Sequence, residues 1–410
     1  MNIILYAVPI FFLLIVIELL LEKAKGTDYY RVNDSISSLT AGVLSRMTGI
    51  IKLLLPLTIY VVAYEQFALF QIPSSWWMWL AAFVLYDFCY YWNHRLGHEM
   101  NILWAAHVVH HSSEEYNLTT ALRQSGSSFF SWIFYLPMAI LGFEPIVLIT
   151  VGSLNLIYQF WVHTRHIPKL GWYEWAFVTP SNHRVHHAQN QVYIDRNYGG
   201  VFILWDRLFG SFQEELDEDK PIYGIRKALK SWNPLWANIH VYAQLGKDCW
   251  HAKRWQDKLL IWFKRTGWRP ADVEQNYPLT KVDLTQFKKF DIQLTLCNKL
   301  YSLLQYSLVV FVGLLLMMNV ANFTLIQQVL IVLFVLYGSV SAGLVLENRP
   351  LAIYLEWIKY SLILSTLIIY SLPAWVEWTL GGSILISALF LLFKTKDIIN
   401  TLEPVMKANN

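Results

Sequence analysis

The chain of 410 residues is 55% hydrophobic and 16% aromatic, and only 15% of its residues are charged. Its mean hydropathy of +0.36 exceeds what a soluble chain of this length carries, which excludes a purely soluble fold. The net charge of +3 is too small to indicate nucleic-acid binding, and three cysteines without a short spacing exclude a disulfide framework or thiolate metal site. We therefore expect an integral membrane protein.

Apolar runs along the chain predict nine membrane spans, because about 20 apolar residues cross the hydrocarbon layer of a bilayer. The predicted spans are 3–21, 39–65, 76–92, 129–142, 145–162, 298–318, 323–346, 353–371 and 374–393. The first is interpreted as an uncleaved anchor, because it lacks the basic start and small-residue cleavage site of a signal peptide. The fourth and fifth are predicted to form a hairpin that returns to its starting side. The fold class is an all-α polytopic membrane bundle.

A long polar segment, residues 164–297, interrupts the spans and is predicted to cap the membrane part. The chain then divides into a catalytic domain, 1–297, and a carboxyl-terminal region of four transmembrane helices, 298–410. That second region contains no histidine. Its charged residues, which include Glu356 and Lys359, are expected near span ends, where pairing or snorkelling accounts for them. We expect this region to shape a lipid pocket or to mediate assembly.

The distribution of Lys and Arg predicts the orientation, because loops on the cytoplasmic side carry an excess of them. The segments 66–75, 142–145, 319–322 and 372–373 contain neither residue, whereas 22–37 contains three. The amino terminus is therefore predicted to face out and the polar cap to face the cytoplasm. A bacterial inner membrane and the endoplasmic reticulum both fit this pattern.

Ten of the twelve histidines fall within one quarter of the chain, in four clusters. The clusters are His94/His98, His107/His110/His111, His163/His166 and His183/His186/His187. Their spacings of three or four residues place the imidazoles of each cluster on one face of a helix. Ten imidazoles are too many for one ion with four to six ligands and about right for two. The sequence therefore predicts a dinuclear metal centre in a histidine-rich cap.

The predicted ligand shell contains nitrogen alone, which suits iron, zinc, copper or nickel. Neutral imidazoles leave the charge of a metal ion uncompensated, so nearby carboxylates are candidate partners of the ligand N–H groups. These carboxylates are Asp87, Glu99, Asp195 and Asp206. Glu99 is the first candidate catalytic residue, because it directly follows a ligand, and a solvated charge at a helix end is its alternative. Asp87 is the second candidate and could instead pair with Arg95 or another buried donor.

The histidines sit in longer motifs: HRLGHE at 94–99, WAAHVVHHSS at 104–113, HTRH at 163–166 and TPSNHRVHH at 179–187. These motifs resemble those of the membrane fatty acid hydroxylase and sterol desaturase superfamily. The resemblance covers residues 1–215 with specific motifs and the whole chain more loosely. It implies a non-haem di-iron oxygenase of lipids in which all ten clustered histidines bind two iron ions, with zinc as an alternative metal.

Within the superfamily, the chain is most similar to a branch that hydroxylates the carbon next to the ether oxygen of alkylglycerols. The resulting hemiacetal falls apart to an aldehyde and a glycerol derivative. The resemblance implies a membrane lipid and O2 as substrates. It also implies an electron donor, either tetrahydrobiopterin or a redox protein.

Two alternatives to ether cleavage remain open at this point. One is a fatty-acyl, sterol or carotenoid hydroxylase or desaturase of the same superfamily. The other is a non-catalytic metal-binding or metal-transport membrane protein. Because the clusters lie at span ends and in a loop, and the spans carry few acids, the pattern argues against an ion path through the membrane.

Overall fold

The regular structure of this protein is helical, as predicted. The computed structural model describes residues 3–52, 54–280, 282–370 and 372–408. Within these ranges every regular element is a helix, and β-pairing is confined to two isolated bridges, Phe177 with Phe202 and Ala188 with Tyr223. The all-α prediction is therefore confirmed.

The chain packs as two units. The first is Met1–Leu229 with Ala237–Phe290, and the second is Lys230–Trp236 with Asp291–Asn410. The predicted boundary after residue 297 lies close to the end of the first unit. The membership of 230–236 in the second unit was not predicted from the sequence. It follows from hydrogen bonds that Ser231 Oγ and Trp232 N donate to Glu347 Oε1, over 2.5 and 2.9 Å.

The helices that begin before residue 291 range from one turn to more than six turns in length. They are α1 (Ile3–Lys25), α2 (Val32–Lys52), α3 (Leu54–Phe67), α4 (Trp76–Glu99), α5 (Asn101–His111), α6 (Leu118–Ala121), α7 (Leu136–Leu141), α8 (Pro145–Trp161), α9 (Pro180–His186), α10 (Leu204–Leu208), α11 (Pro234–His251), α12 (Trp255–Phe263) and α13 (Ala271–Asn276). The predicted span 39–65 corresponds to two helices, α2 and α3. Leu53, between them, lies outside the described residues.

Helix α4 is the longest element of the first unit and organises it. It begins after Ser75, whose hydroxyl caps the helix by accepting the N–H of Met78 over 3.3 Å. Its flanks pack against α5 and α8. Because α4 ends at Glu99 and α5 starts two residues later, the chain reverses between two histidine clusters. This reversal brings their imidazoles to the same place.

The predicted hairpin has two short apolar arms, Ser131–Leu141 and Pro145–Trp161. The turn between them requires glycine at position 142. Gly142 has φ = +101°, and a Cβ at this position would lie 2.0 Å from the carbonyl oxygen of Phe70. A side chain here would be strained and would also collide with backbone.

Helix α1, the first predicted span, exposes large apolar side chains. Tyr6, Leu13 and Leu20 are 66%, 58% and 63% exposed. A continuous apolar surface of this kind is not stable in water and is expected where lipid covers it.

The second unit is built from four helices. They are α14 (Leu296–Asn319), α15 (Leu325–Leu346), α16 (Leu351–Ile369) and α17 (Ala374–Ala408). Each contains an apolar stretch long enough to cross a membrane, which confirms the four predicted carboxyl-terminal spans. Ser371, the last residue of the predicted span 353–371, lies outside the described residues.

A buried ion pair joins these four helices. Lys359 Nζ lies 2.6 Å from Glu356 Oε1, and both side chains are at most 1% exposed. Snorkelling therefore does not account for them, and pairing does. Around the pair, Tyr301 and Ser341 donate to Glu356, and Lys359 donates to Gln305. Gln305 in turn donates to Ser387 on α17, which extends the network to all four helices.

We predict that Lys359→Met destabilises the protein, because it leaves the Glu356 carboxylate buried without its counter-charge. The expected loss is about 3–5 kcal/mol, the cost of breaking a buried pair from one side. Thermal unfolding of the detergent-solubilised protein checks this. The double variant Glu356→Leu/Lys359→Met should recover most of the stability, because it removes both charges. Equal melting temperatures for wild type and K359M would contradict the role of the pair.

Candidate metal centre

Nine of the ten clustered histidines converge in two groups. Group A contains His94, His98, His107, His111 and His186, and group B contains His110, His163, His183 and His187. Within each group, one ligand nitrogen from every residue lies within 4.8 Å of all the others. All nine are buried except His107, which is half-buried. Two adjacent groups of imidazoles are what a dinuclear centre requires.

Helices α5 and α9 each contribute to both groups. On α5, His107 and His111 are four residues apart and join group A, while His110 joins group B. The α9 region reverses this assignment, because His183 and His187 join group B and His186 joins group A. The two helices thus tie the groups together, and neither group forms without both of them.

Distances between the Nε2 atoms fit metal coordination. In group A, His107 Nε2 lies 3.0 Å from that of His94 and 3.2 Å from that of His111. In group B, His183 Nε2 lies 3.1 Å from that of His163 and 3.2 Å from that of His187. Bonds of about 2.0–2.1 Å from one ion to two imidazoles at right angles place their nitrogens about 3.0 Å apart. The donor set therefore suits a metal ion in each group.

Backbone carbonyls orient four of the rings by accepting from Nδ1. The contacts are His94 with Tyr198 (2.8 Å), His110 with Arg123 (3.0 Å), His163 with Gln159 (2.8 Å) and His186 with Arg196 (2.9 Å). An Nδ1–H that donates to a carbonyl leaves the Nε2 lone pair for a metal. The sequence predicted carboxylates in this role. Among the described residues these four rings are held by carbonyls instead.

Burial keeps these imidazoles uncharged. Burial and neighbouring imidazoles lower the pKa of His183 and His187 well below the ordinary histidine value. Burial lowers the pKa of His110 to about 4. A metal ion binds the neutral form of imidazole, so the rings do not have to lose protons at neutral pH before they bind one.

Asp87 anchors the loop that follows residue 200. Its buried carboxylate accepts from Asn155 Nδ2 (2.7 Å), from the N–H groups of Val201 (2.8 Å) and Phe202 (3.0 Å) and from Trp205 Nε1 (3.0 Å). These donors, not Arg95, satisfy it. Asp87 is therefore placed as a positioning residue for the loop and outside both histidine groups.

Asp206 supports the histidine groups indirectly, through Tyr198. Its carboxylate accepts the N–H groups of Tyr198 and Gly199 and the hydroxyl of Ser211, each over 2.7 Å. The carbonyl of Tyr198 holds His94. Asp206 therefore fixes the segment that orients a ligand ring. The sequence did not indicate a role for Tyr198, because the contact with His94 uses a backbone carbonyl, which every type of residue has.

Glu99 lies at the end of α4 beside Tyr198 and is half-buried. Its Oε1 accepts from Arg95 Nε over 3.1 Å and from the hydroxyl of Tyr198 over 3.3 Å. The structure does not place it in either histidine group. Asp195 is held apart from both groups by an ion pair of 3.2 Å with Arg265.

His166 is the one clustered histidine that the structure does not bring to the centre. Its ring lies against Tyr29, with 4.9 Å between ring centroids. The physical reason is local, because α8 ends at Trp161 and residues 163–166 are not helical. A spacing of three residues therefore does not place His163 and His166 on a common face. We leave His166 out of the proposed ligand set.

Two cavities reach the histidines from different walls. The first cavity has a volume of about 190 Å³ and is lined by residues of α1, α2, α4, α5 and α8 together with the histidines His94, His107, His110 and His163. The second cavity has a volume of about 460 Å³ and is lined by α5, the α9 region, α11 and residues 264–279, together with the histidines His98, His111, His186 and His187. No histidine lines both.

We predict that His187→Ala lowers the metal content of the purified protein and that His166→Ala does not. The two changes remove the same side chain, one inside group B and one outside both groups. Metal analysis by mass spectrometry of protein purified in detergent measures the difference. Equal loss of metal in the two variants would return His166 to the ligand set.

We predict that Asp206→Ala weakens metal binding by about 10- to 100-fold, the usual effect of losing a group that orients a ligand. The reason is that the Tyr198 carbonyl loses its support. Competition with a chelator measures the affinity. Asp217→Ala is the matched control, because that carboxylate is 88% exposed. Unchanged affinity in D206A would show that Tyr198 is held without it.

Comparison with known proteins agrees with this site. Residues 79–211, which contain both histidine groups, match the family model described as fatty acid hydroxylase. The chain is similar to the alkylglycerol monooxygenases of Homo sapiens (37% identical, over 86% of this chain and 80% of the relative) and of Danio rerio (37%, over 87% and 80%). It is also similar over a shorter range to an ornithine lipid hydroxylase of Rhizobium tropici (28% identical, over 32% and 40%).

No solved structure matches the chain significantly. The relatives and the family model agree with each other, and the matched region, residues 79–211, contains both histidine groups. The chain therefore belongs to the alkylglycerol monooxygenase family, among the membrane proteins that carry a fatty acid hydroxylase domain.

Proposed function

We propose that this lipid monooxygenase is a di-iron enzyme that cleaves the ether bond of alkylglycerols. The observation that carries the proposal is the position of two imidazole groups at the wall of a cavity that also has apolar side chains. The relatives named alkylglycerol monooxygenase support the choice of substrate.

The residues present fit a pair of iron ions. The two groups supply nine neutral imidazoles whose nitrogens are spaced as ligands of one ion each. Several ring nitrogens, including His98 Nε2 and His186 Nε2, are buried and have no hydrogen-bond partner. A buried polar atom without a partner is costly, and a metal bond would satisfy it. When bound, iron would supply the redox chemistry that reduces O2 and attacks an unactivated C–H bond.

The first cavity is suited to the alkyl chain of a lipid. Phe11, Leu156 and Phe160 contribute apolar wall, and imidazoles of both groups line the same space. An alkyl chain in this cavity places a methylene group beside the histidines and excludes water from them. Hydroxylation of the carbon next to the ether oxygen gives a hemiacetal, which separates into an aldehyde and a glycerol derivative.

Arg46 supplies the first cavity with a polar contact. It lines the cavity, and its side chain is exposed. A guanidinium in this position would bind the hydroxyl groups or the phosphate of a lipid head group. The cavity therefore offers apolar contacts to an alkyl chain and a polar contact to a lipid head group.

Glu99 is proposed to move protons at the edge of the centre. It is half-buried, and its carboxylate already bonds the hydroxyl of Tyr198. Proton transfer requires a path between solvent and the site, and the ring of Tyr198, to which Glu99 bonds, lies 5.4 Å from the ring of His98. Its bond to Arg95 keeps the carboxylate oriented.

The proposed orientation places the histidine groups on the cytoplasmic side. It rests on the Lys and Arg of residues 22–37 and their absence from the opposite loops. A cytoplasmic site is where a soluble reductant is available, in a bacterial inner membrane or in the endoplasmic reticulum.

Lipid mass spectrometry under 18O2 tests the function in cells that express wild type or His183→Ala. The host is supplied with ether lipids and tetrahydropterin. We expect labelled aldehyde, or the acid or alcohol derived from it, and loss of ether lipid in the wild type only. His251→Ala is the matched control, since that histidine is exposed and lies outside both groups.

Each other outcome of this experiment is informative. Labelled hydroxy lipid with intact ether bonds would replace ether cleavage by simple hydroxylation, and a new double bond without label would indicate a desaturase. Identical lipidomes for wild type and H183A would overturn the enzymatic proposal in favour of a metal-binding or transport role.

A further inference from the structure

We propose that the second unit binds a phosphoglycerol group, as the head group of an anionic lipid presents it, in a cavity at one end of its four helices. This third cavity has a volume of about 240 Å³, and all of its lining residues belong to the second unit. The second unit contains no histidine, so the site is independent of the reaction proposed above.

The third cavity lies where the helices of the second unit end. Asn298 is in the first turn of α14, residues 348–350 connect α15 to α16, and Lys394 ends the apolar stretch of α17. The ends of membrane helices lie at the depth of the lipid phosphates. The Lys and Arg rule predicts that this end faces the cytoplasm, and the cytoplasmic leaflet carries the anionic lipids.

Two basic side chains, Arg349 and Lys394, line the third cavity. Arg349 is 65% exposed, and its Nε lies 3.3 Å from Glu347 Oε2. This ion pair uses Nε, so a phosphate can accept hydrogen bonds from the two terminal nitrogens of the guanidinium. The ammonium of Lys394 adds a second positive charge. The two residues therefore favour an anionic ligand.

One carboxylate, that of Glu356, also lines the third cavity. Its charge is balanced by Lys359, whose Nζ lies 2.6 Å from Oε1. Tyr301 and Ser341 donate hydrogen bonds to the same carboxylate. Because Glu356 is neutralised by its own partners, the charge of the cavity wall is set by Arg349 and remains positive with Lys394.

Asn298 indicates which other group the ligand carries. The residue is 5% exposed and lines the third cavity. Its Nδ2 donates to Asn348 Oδ1 over 3.5 Å, whereas its Oδ1 is buried and has no hydrogen-bond partner among the described residues. A buried acceptor without a partner is costly, and a hydroxyl donor on the ligand would satisfy it. A phosphoglycerol group carries such hydroxyls beside its phosphate.

Apolar side chains complete the wall and favour a lipid as the source of this group. Val345, Ile353 and Phe390 line the third cavity. The ring of Phe390 is stacked on that of Tyr301, with 3.7 Å between centroids. A free phosphoglycerol compound has no apolar part to place against these side chains, whereas a lipid does.

Binding of phosphatidylglycerol tests the charge of the site. Native mass spectrometry of the full-length protein in detergent measures the affinity for the first bound lipid. We expect Arg349→Gln to weaken binding by about tenfold, which corresponds to about 1.4 kcal/mol. Lys394→Gln should weaken it as well. Lys299→Gln is the matched control, because Lys299 is also basic, follows Asn298 on α14 and does not line the third cavity.

The exposed position of Arg349 makes it a variant that keeps the fold. Its side chain contacts Glu347 at the surface and has no part in the buried pair of Glu356 and Lys359. Equal affinities for wild type, R349Q and K394Q would overturn the site.

A second lipid tests the hydroxyl donor. Phosphatidylmethanol carries the same charge as phosphatidylglycerol and lacks the free hydroxyls, so we expect wild type to bind it more weakly. Asn298→Leu removes the acceptor and should bring the affinity for phosphatidylglycerol down to that for phosphatidylmethanol. Equal binding of the two lipids by wild type would overturn the assignment of a phosphoglycerol group.

Titration with glycerol 3-phosphate distinguishes the two sources of the group. Binding of phosphatidylglycerol alone identifies a lipid site. Binding of glycerol 3-phosphate that R349Q weakens supports the same chemistry in the third cavity and assigns it to a soluble ligand. Failure of wild type to bind either compound would overturn the inference.

Discussion

The architecture depends on holding nine neutral imidazoles in two adjacent buried groups. Removing this many polar rings from water is costly unless their nitrogens are bonded. The protein bonds one nitrogen of several rings to backbone carbonyls, and this leaves the opposite nitrogens aimed at common points. Metal ions are the partners that complete such an arrangement, so the fold of the first unit is matched to a metal centre.

Carboxylates hold this arrangement from outside. Asp87 fixes the loop that begins at Val201, and Asp206 fixes the segment whose carbonyl orients His94. Neither carboxylate belongs to a histidine group. Because these carboxylates support the histidines and do not belong to either group, all the candidate metal ligands can be nitrogen atoms. The carboxylates still fix the positions of those ligands as charged hydrogen-bond acceptors. The second unit uses a similar device, in which the ion pair of Glu356 and Lys359 and the hydrogen bonds around it join four apolar helices.

Two cavities reach this centre. Helices α5 and α9 contribute to both histidine groups, and the groups in turn face both cavities. An oxygenase of lipids has to bring together a water-insoluble substrate and a polar source of electrons. Two separate spaces beside the histidine groups allow two reactants to reach the centre without passing through the same space.

The sequence by itself determined the all-helical class and the four carboxyl-terminal spans, and it predicted a histidine-rich metal site for which nine of the ten named histidines lie together. Hydropathy and residue spacing report these directly, since they depend on residue type and on helical periodicity. Only the tertiary structure decided how the site is assembled. It assigned His110 and His186 to the groups opposite their helical neighbours, and it left His166 outside because the chain is not helical there. It also replaced the expected carboxylate partners of four rings by carbonyls, which every residue carries and which therefore leave no mark in a sequence.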